Sequence, residues 1–237
     1  MIRRMFCHSC GSQVASDVQF CPVCGTSLAA ATPGAAGGLA AVWTPPAAVQ
    51  VQASRWIGEG WRLVKADLGN YVLLALVFSV LSSAVPLIIQ GPMIAGFHIF
   101  TIKKLTGRPA EFADLFKGFN YFVPTLVASL VIGLFVGAGT LLCIIPGLVV
   151  AAMYKFTYLF IVDKRMDFWP AMQASHAVVK HDYFGFTMFL LLMVLVDLLG
   201  VLCCIVGIFV AMPVTFAAIT VAYKEIVGFD QRTLDTI

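Results

Sequence analysis

Charged residues are scarce in this chain. Only 11% of its 237 residues are Asp, Glu, Lys or Arg, against about 25% in ordinary soluble domains. Apolar residues make up 60%, and the mean hydropathy is +0.94. These values exclude a water-soluble enzyme with a large core and predict a protein whose main solvent is lipid. The net charge is only +3, so charge does not indicate a nucleic-acid partner.

Catalytic motifs are also missing. The sequence has no HExxH motif, no phosphate-binding glycine loop and no pairing of a nucleophile with a base. We therefore expect no catalytic residues and no enzymatic activity. An enzyme that acts on lipids is the weakest of the functional hypotheses, because no acid–base cluster supports it.

Four of the seven cysteines form two similar motifs near the N terminus. Residues 6–11 read FCHSCG and residues 20–25 read FCPVCG. Zinc takes four ligands in a tetrahedron, and a CxxC turn places two sulfurs on one side of the metal. The alternative is a pair of disulfides, which requires an oxidising compartment. The spacing predicts a closed, structural zinc site whose ligands are Cys7, Cys10, Cys21 and Cys24.

The first segment resembles the short zinc ribbon at the N terminus of many bacterial membrane and regulatory proteins. The resemblance covers about residues 5–28 and implies a fold and a metal, but no substrate. Residues 29–53 contain no charge and are dominated by Ala, Gly and Pro, which is typical of a flexible linker. The predicted domains are a ribbon at 1–28, this linker, and a membrane domain at 54–237.

Three uncharged or nearly uncharged segments follow. Residues 68–102 and 120–154 carry no charge, and 183–223 is interrupted only by Asp197. A membrane helix needs about 20 residues and at least about 17, so each segment predicts two short helices joined by a turn. We therefore expect an all-α integral membrane protein with six transmembrane helices in three hairpins.

The three hairpins also resemble one another. Each follows an amphipathic stretch that contains a lysine, carries a proline in its second helix and ends in charged residues. This order predicts repeats near 54–109, 110–168 and 169–230. The alternative is that the hairpins share no common ancestor, because any membrane protein built of helical hairpins alternates apolar and charged segments in a similar way. The amphipathic stretches are predicted to lie at the membrane interface. In the first of them the apolar stripe consists of Ile57, Trp61, Val64 and Leu68.

Basic residues indicate the orientation. The turns inside the predicted hairpins, near 83–91, 137–145 and 199–207, contain no charge. The positive-inside rule places the loops between hairpins, and both termini, in the cytoplasm. The resemblance of the first segment to bacterial proteins implies that the membrane is a bacterial inner membrane. The reducing cytoplasm also suits a zinc–thiolate site. The basic residues between hairpins are Lys103, Lys104, Arg108, Lys117, Lys164, Arg165 and Lys180.

Two charges fall inside predicted spans. Lys155 lies about 12 Å from the cytoplasmic end of its helix at 1.5 Å per residue, and Asp197 lies nearer the outer end. Ionisable groups inside a membrane are costly and are candidates for a functional site. A direct pair between them is one alternative, and snorkelling of the lysine is another.

Residues 145–186 carry a further pattern. An Ile-Pro-Gly start leads through an aromatic helix that ends in Val-Asp to a helix containing Ala-Ser. Over about residues 54–230 the chain resembles a group of uncharacterised bacterial integral membrane proteins. It is also similar to the membrane domain that precedes the catalytic barrel of some bacterial glycerophosphodiester phosphodiesterases. The sequence contains no such barrel, so the resemblance implies a membrane fold without that activity.

These observations favour a non-enzymatic scaffold or anchor. Its expected partners are the lipid bilayer and a cytoplasmic protein that contacts the zinc ribbon, while homo-oligomerisation is left open. The alternative is a transporter or channel component with a polar path that involves Lys155 and Asp197.

Overall fold

The chain divides into two compact units, Met1–Val42 and Trp43–Ile237. In the first unit, strands β1 (Arg4–Phe6) and β2 (Gln13–Ala15) pair antiparallel, with Met5 opposite Val14. The four predicted zinc ligands lie outside the described residues. The computed structural model describes residues 4–6, 13–15, 43–46, 49–85, 88–202 and 207–236.

The second unit is helical where it is described. A 3₁₀ helix, Phe112–Tyr121, separates α3 from α4. Gly107 and Gly228 follow the last turns of α3 and α9 with φ of +70° and +76°, a conformation that glycine adopts without steric cost. The α-helices are α1 (Ala53–Ala66), α2 (Leu68–Ala84), α3 (Gln90–Leu105), α4 (Phe122–Leu142), α5 (Ile144–Met153), α6 (Thr157–Lys164), α7 (Phe168–Val179), α8 (Tyr183–Leu202), α9 (Ile208–Ile226) and α10 (Gln231–Thr236).

Within the described residues, four segments are long and apolar enough to cross a membrane. They are the 3₁₀ helix with α4, the segment Ile144–Lys164 that contains α5 and α6, helix α8 and helix α9. Helices α1 and α2, counted together as one bent segment, give a fifth candidate span. The bend at their junction is 101°. Helix α2 has 17 residues and α3 has 16, near the lower limit for a spanning helix. The predicted helical body with several segments able to cross a membrane is thus confirmed, with four or five candidate spans, while the six spans in three hairpins stay a prediction.

The outer surface of this unit is strongly apolar. Leu134 on α4 is 69% exposed, Leu141 is 89% exposed, and Phe184 on α8 is 77% exposed. In a water-soluble protein so much exposed apolar surface would drive association. In a bilayer these side chains contact lipid. Helices α3 and α9 each contribute more buried residues than any other described helix and form the centre of the bundle.

Helix α1 crosses α9 at close range. Trp56, Gly60 and Val64 form the buried face of α1, and a Cβ at Gly60 would lie 2.8 Å from the Ala218 nitrogen. The apolar stripe predicted for α1 therefore coincides with the buried face only at Val64. Its member Trp61 is 46% exposed, because the face that packs on α9 is rotated toward Trp56 and Gly60.

Helix α3 and the 3₁₀ helix touch through their backbones. A Cβ at Gly96 would overlap the carbonyl oxygen of Leu115, and a Cβ at Gly118 would overlap the carbonyl oxygen of Pro92. Only glycine fits at these two positions. The 3₁₀ helix therefore lies against α3, with Leu115 buried while Phe116 is 42% exposed.

The end of the predicted linker belongs to the helical unit. The Trp43 ring packs edge-on against Phe160 of α6, with 4.8 Å between ring centroids. Val49 and Val51 are partly buried against the same core. These apolar side chains anchor the segment that leads into α1.

Candidate functional site

Several helix ends meet at one end of the helical unit, which we call the charged end. The last turns of α3, α6 and α9 and the first turn of α1 converge there. The charged residues at these helix ends lie before, between or after the predicted hairpins in the sequence. The contacts that join them are Tyr223 Oη to Asp163 Oδ2 (3.0 Å), Lys224 Nζ to the Leu105 carbonyl oxygen (3.4 Å) and Arg55 Nη2 to Glu225 Oε2 (3.0 Å).

Asp163 is the most enclosed carboxylate of the charged end, with 1% of its surface exposed. It accepts hydrogen bonds from the Tyr223 hydroxyl at 3.0 Å and from the Asp230 backbone N–H at 2.9 Å. Lys164 Nζ lies 3.1 Å from Oδ2, and the Thr233 hydroxyl donates to the Asp163 carbonyl oxygen. Since a buried carboxylate must be paired, Asp163 fastens α9 and α10 to the end of α6.

Asp114 plays a similar part between α3 and the 3₁₀ helix. Lys103 Nζ donates to both of its carboxylate oxygens, at 2.8 and 2.9 Å. Lys117 Nζ lies 2.8 Å from Oδ1, and the Glu111 backbone N–H donates to Oδ2 at 2.8 Å. Asp114 is 2% exposed, so these partners replace the water that its charge has lost.

Helix α1 is held at its two ends. The Trp56 indole N–H donates to Glu225 Oε2 at 2.6 Å, and Arg55 pairs with the same oxygen. At the other end of α1, Lys104 of α3 pairs with Asp67. These contacts indicate a structural role for the acidic residues of the charged end. None of them places a nucleophile beside a base.

The span Ile144–Lys164 is broken in its middle. Residues 154–156 form a turn between α5 and α6. The Ser175 hydroxyl, from α7, accepts from the Phe156 N–H at 3.2 Å and donates to the Met153 carbonyl oxygen at 2.7 Å. Backbone groups freed by a helix break at membrane depth must find partners inside the protein, and Ser175 supplies them.

The two charges predicted inside the spans do not meet. Lys155 lies in the turn between α5 and α6, and Asp197 lies on α8, where it accepts a hydrogen bond from the Thr215 hydroxyl at 3.5 Å. The two charges interact electrostatically, but no ion pair joins these two described residues. The structure thus places them in one bundle without the direct pair that was one sequence-based alternative.

Sequence reasoning missed the partners that make these clusters. Asp114 lies in an amphipathic stretch whose local sequence indicates no partner for it, and Ser175 belongs to the Ala-Ser pattern. The Val-Asp end of α6 is part of the same sequence pattern, which does not indicate the role of Asp163. A serine or an aspartate in an apolar helix signals a buried hydrogen bond, yet the partner is set by tertiary packing. Among the residues that the structure describes, no group of three or more His, Cys, Asp or Glu side chains could hold a metal ion.

Comparison with known proteins supports the predicted ribbon. Residues 6–28 match the zinc-ribbon domain family. No solved structure gives a significant match to the chain. The similarity to the membrane domain of glycerophosphodiester phosphodiesterases is not established by these matches and stays a prediction.

Relatives of uncharacterised function resemble a larger part of the chain. Over 122 residues it is 30% identical to an uncharacterised protein of Mycobacterium bovis and to uncharacterised proteins of two strains of Mycobacterium tuberculosis. The alignments cover 52% of this chain and 37% of each relative, so the chain spans little more than a third of the length of these relatives. Sequence comparison thus identifies a zinc-ribbon domain in a chain that resembles mycobacterial proteins of unknown activity.

Proposed function

We propose that the chain is a non-enzymatic scaffold of the bacterial inner membrane, which presents a zinc ribbon to a cytoplasmic protein partner. The observation that carries the proposal is the combination in one chain of a zinc-ribbon match at residues 6–28 with a membrane-spanning helical body. A closed four-cysteine site gives structure without an open coordination position. Such a module suits protein contact rather than catalysis.

The metal of the proposed ribbon is zinc, held by Cys7, Cys10, Cys21 and Cys24. The family match includes all four cysteines. Thiolate ligands supply folding free energy that so short a segment cannot obtain from a hydrophobic core. Zinc therefore has a structural role in this proposal.

The proposed topology has six spans in three hairpins, with both termini in the cytoplasm. The pairs are α2 with α3, α4 with the broken α5–α6 segment, and α8 with α9. Helices α2 and α3 are about 25 Å long at 1.5 Å per residue, enough to cross the hydrocarbon core where it is thin or locally thinned. Support for the orientation comes from the charged end, where Lys103, Lys104 and Lys164 gather.

The role of the acidic residues supports a scaffold over an enzyme. Asp114, Asp163 and Glu225 each hold two or more segments of the described chain together. The carboxylates of these three residues form hydrogen bonds and ion pairs with other parts of the protein. The body is then a rigid platform, and the ribbon is the element left to recognise a partner.

The proposal is tested by a partner that depends on the folded ribbon. The tagged full-length chain, purified from native membranes after mild cross-linking, is expected to retain a cytoplasmic protein. The double variant Cys21→Ser/Cys24→Ser should lose this protein at least fivefold, because the ribbon cannot hold its metal. The matched control is Cys143→Ser, since Cys143 is exposed and lies in the membrane body.

The identified protein, when tagged itself, should retrieve this chain. Equal recovery with wild type and with the double variant would overturn the proposed role of the ribbon. Recovery of no cytoplasmic protein by the wild type would overturn the scaffold function.

The second candidate is a transporter or channel component. It is favoured by the break between α5 and α6, because discontinuous helices line the substrate sites of many transporters. In this proposal Lys155 and Asp197 belong to one polar path through the bundle. Its test is the flux experiment on Asp197 given in the Discussion.

A further inference from the structure

A cavity of about 190 Å³ lies beside the broken span. Its walls come from α3, α4, α9 and the segment around the break. Most of its lining is apolar, and four polar side chains interrupt it. These are His98, Tyr154, Lys155 and Tyr158.

Two of the polar groups are already engaged. His98 Nδ1 lies 2.9 Å from the Thr220 hydroxyl, and the Tyr158 hydroxyl lies 3.0 Å from the Ser129 hydroxyl. These bonds fix the ring positions in the cavity wall. Of the two that remain, Tyr154 has a neutral phenol at pH 7, so the cationic group of Lys155 determines what the cavity attracts.

Lys155 differs from the lysines of the charged end. Lys103, Lys104 and Lys164 each form an ion pair with a carboxylate. Within the described chain Lys155 Nζ has neither an ion pair nor a hydrogen bond, and Asp197 acts on it only at longer range. Asp197 is also not among the residues that line the cavity. A lysine inside a membrane without a partner is costly.

An anion in the cavity would compensate this charge. One ammonium group balances one negative charge, which favours a carboxylate over a phosphate dianion. The wall is mostly apolar, with Ile94, Ile132 and Phe216 among its members, and this favours a hydrocarbon chain next to the charge. The volume is below the range of about 300–1,000 Å³ typical of sites for drug-sized ligands. It suits a headgroup and the first carbons of a chain that extends out of the cavity.

From the unpaired Lys155 in a largely apolar cavity we infer that the membrane body binds the carboxylate of a single-chain amphiphile, of the fatty-acid class. The ammonium group of Lys155 contacts the carboxylate, and the apolar wall formed by α3, α4 and α9 contacts the chain. The inference goes beyond the scaffold function and does not depend on the zinc ribbon.

The test uses a decanoic acid that carries a diazirine on its chain. The full-length protein is placed in nanodiscs of phosphatidylcholine, which has no net charge, and is irradiated with the probe. Mass spectrometry is expected to find the label on residues that line the cavity. Unlabelled decanoate should compete, whereas decanol (the chain without the charge) and acetate (the charge without the chain) should not.

Variants connect the label to the lysine. Lys155→Met should reduce labelling of the cavity at least fivefold, and Lys155→Arg should retain most of it because the charge remains. The matched control is Lys180→Met, which removes an exposed lysine outside the cavity and should leave labelling unchanged. Thermal unfolding of each variant checks the fold. Should Lys155→Met unfold, Val136→Phe, which fills the cavity from α4, takes its place and should also abolish labelling.

Several results would overturn the inference. Equal competition by decanol would show that the charge is not used, and equal competition by acetate would show a site for simple anions. Loss of labelling when 20% phosphatidylglycerol is added to the nanodisc would assign the cavity to a phospholipid headgroup. Labelling that is the same in Lys155→Met and wild type would exclude the lysine as the binding group.

Discussion

The Tyr223 hydroxyl donates a hydrogen bond to Asp163 Oδ2 at 3.0 Å across 60 residues of sequence. The contact joins the last turn of α9 to the end of α6, and both side chains are buried. It replaces solvent at a buried carboxylate, which needs hydrogen-bond partners inside the protein.

Tyr223→Phe is expected to lower the free energy of unfolding by about 1.5–3 kcal/mol, the usual contribution of a hydrogen bond to a charged group. Unfolding in detergent micelles, followed by circular dichroism, measures the change. The matched control is Tyr121→Phe, whose hydroxyl makes no hydrogen bond within the described residues. The same stability for both variants would contradict the role of Asp163 as an anchor.

Purified protein should contain about one zinc ion per chain. Cys21→Ser/Cys24→Ser should lose the metal because two thiolates cannot close a tetrahedral site, whereas Cys143→Ser should keep it. Elemental analysis and thiol counting check both. Metal-free wild-type protein with two intact disulfides would exclude the zinc site.

The turn between α4 and α5 should face the outside of the cell. In a variant with Cys203 and Cys204 changed to Ser, an impermeant thiol reagent should label Cys143 on intact cells, since Cys143 is exposed and the proposed topology places the ribbon cysteines in the cytoplasm. With Cys143 also replaced, Pro109→Cys should react only after permeabilisation. Labelling of position 109 from outside would invert the proposed topology. The turns near Pro86 and Cys204 should behave like Cys143.

Gly60→Ala should destabilise the helical unit by about 1–3 kcal/mol, the usual cost of overpacking. Its Cβ would lie 2.8 Å from the Ala218 nitrogen and 2.9 Å from the Val214 carbonyl oxygen, so α1 must move away from α9. The control is Gly58→Ala on the same helix, where no atom beyond the neighbouring backbone of α1 lies within 4 Å of the added Cβ. That variant should gain up to about 1 kcal/mol from helix propensity. Equal effects at both positions would show that the close crossing does not determine stability.

Asp197→Asn distinguishes the scaffold from the transporter. Asn keeps the capacity to accept the Thr215 hydrogen bond, so a scaffold should stay folded and keep its partner. Proteoliposomes containing wild-type protein should then show no proton- or ion-dependent flux above empty liposomes. A flux that disappears in Asp197→Asn, with a related defect in Lys155→Met, would replace the scaffold by the transporter.

Local features of the sequence determined the membrane character of this protein. Uncharged segments of 35 residues can be recognised without a fold, because burial in lipid depends on the composition of each segment. The approximate positions of α4, α8 and α9 can be predicted from the near-absence of charge in these segments. The two CxxC motifs determined the ribbon in the same way, since the spacing of the ligands is itself local.

Only the tertiary structure decided which polar groups meet. Trp56 and Glu225 lie 169 residues apart and still share a hydrogen bond, and the two lysines that pair with Asp114 come from different elements. The break at residues 154–156 falls in a segment that reads as one continuous span, and Ser175 from another helix supplies its missing hydrogen bonds. A partner distant in sequence leaves no periodic pattern near the residue that it satisfies. Packing of the helices therefore decided that Asp163 became an anchor and that Lys155 came to line a cavity.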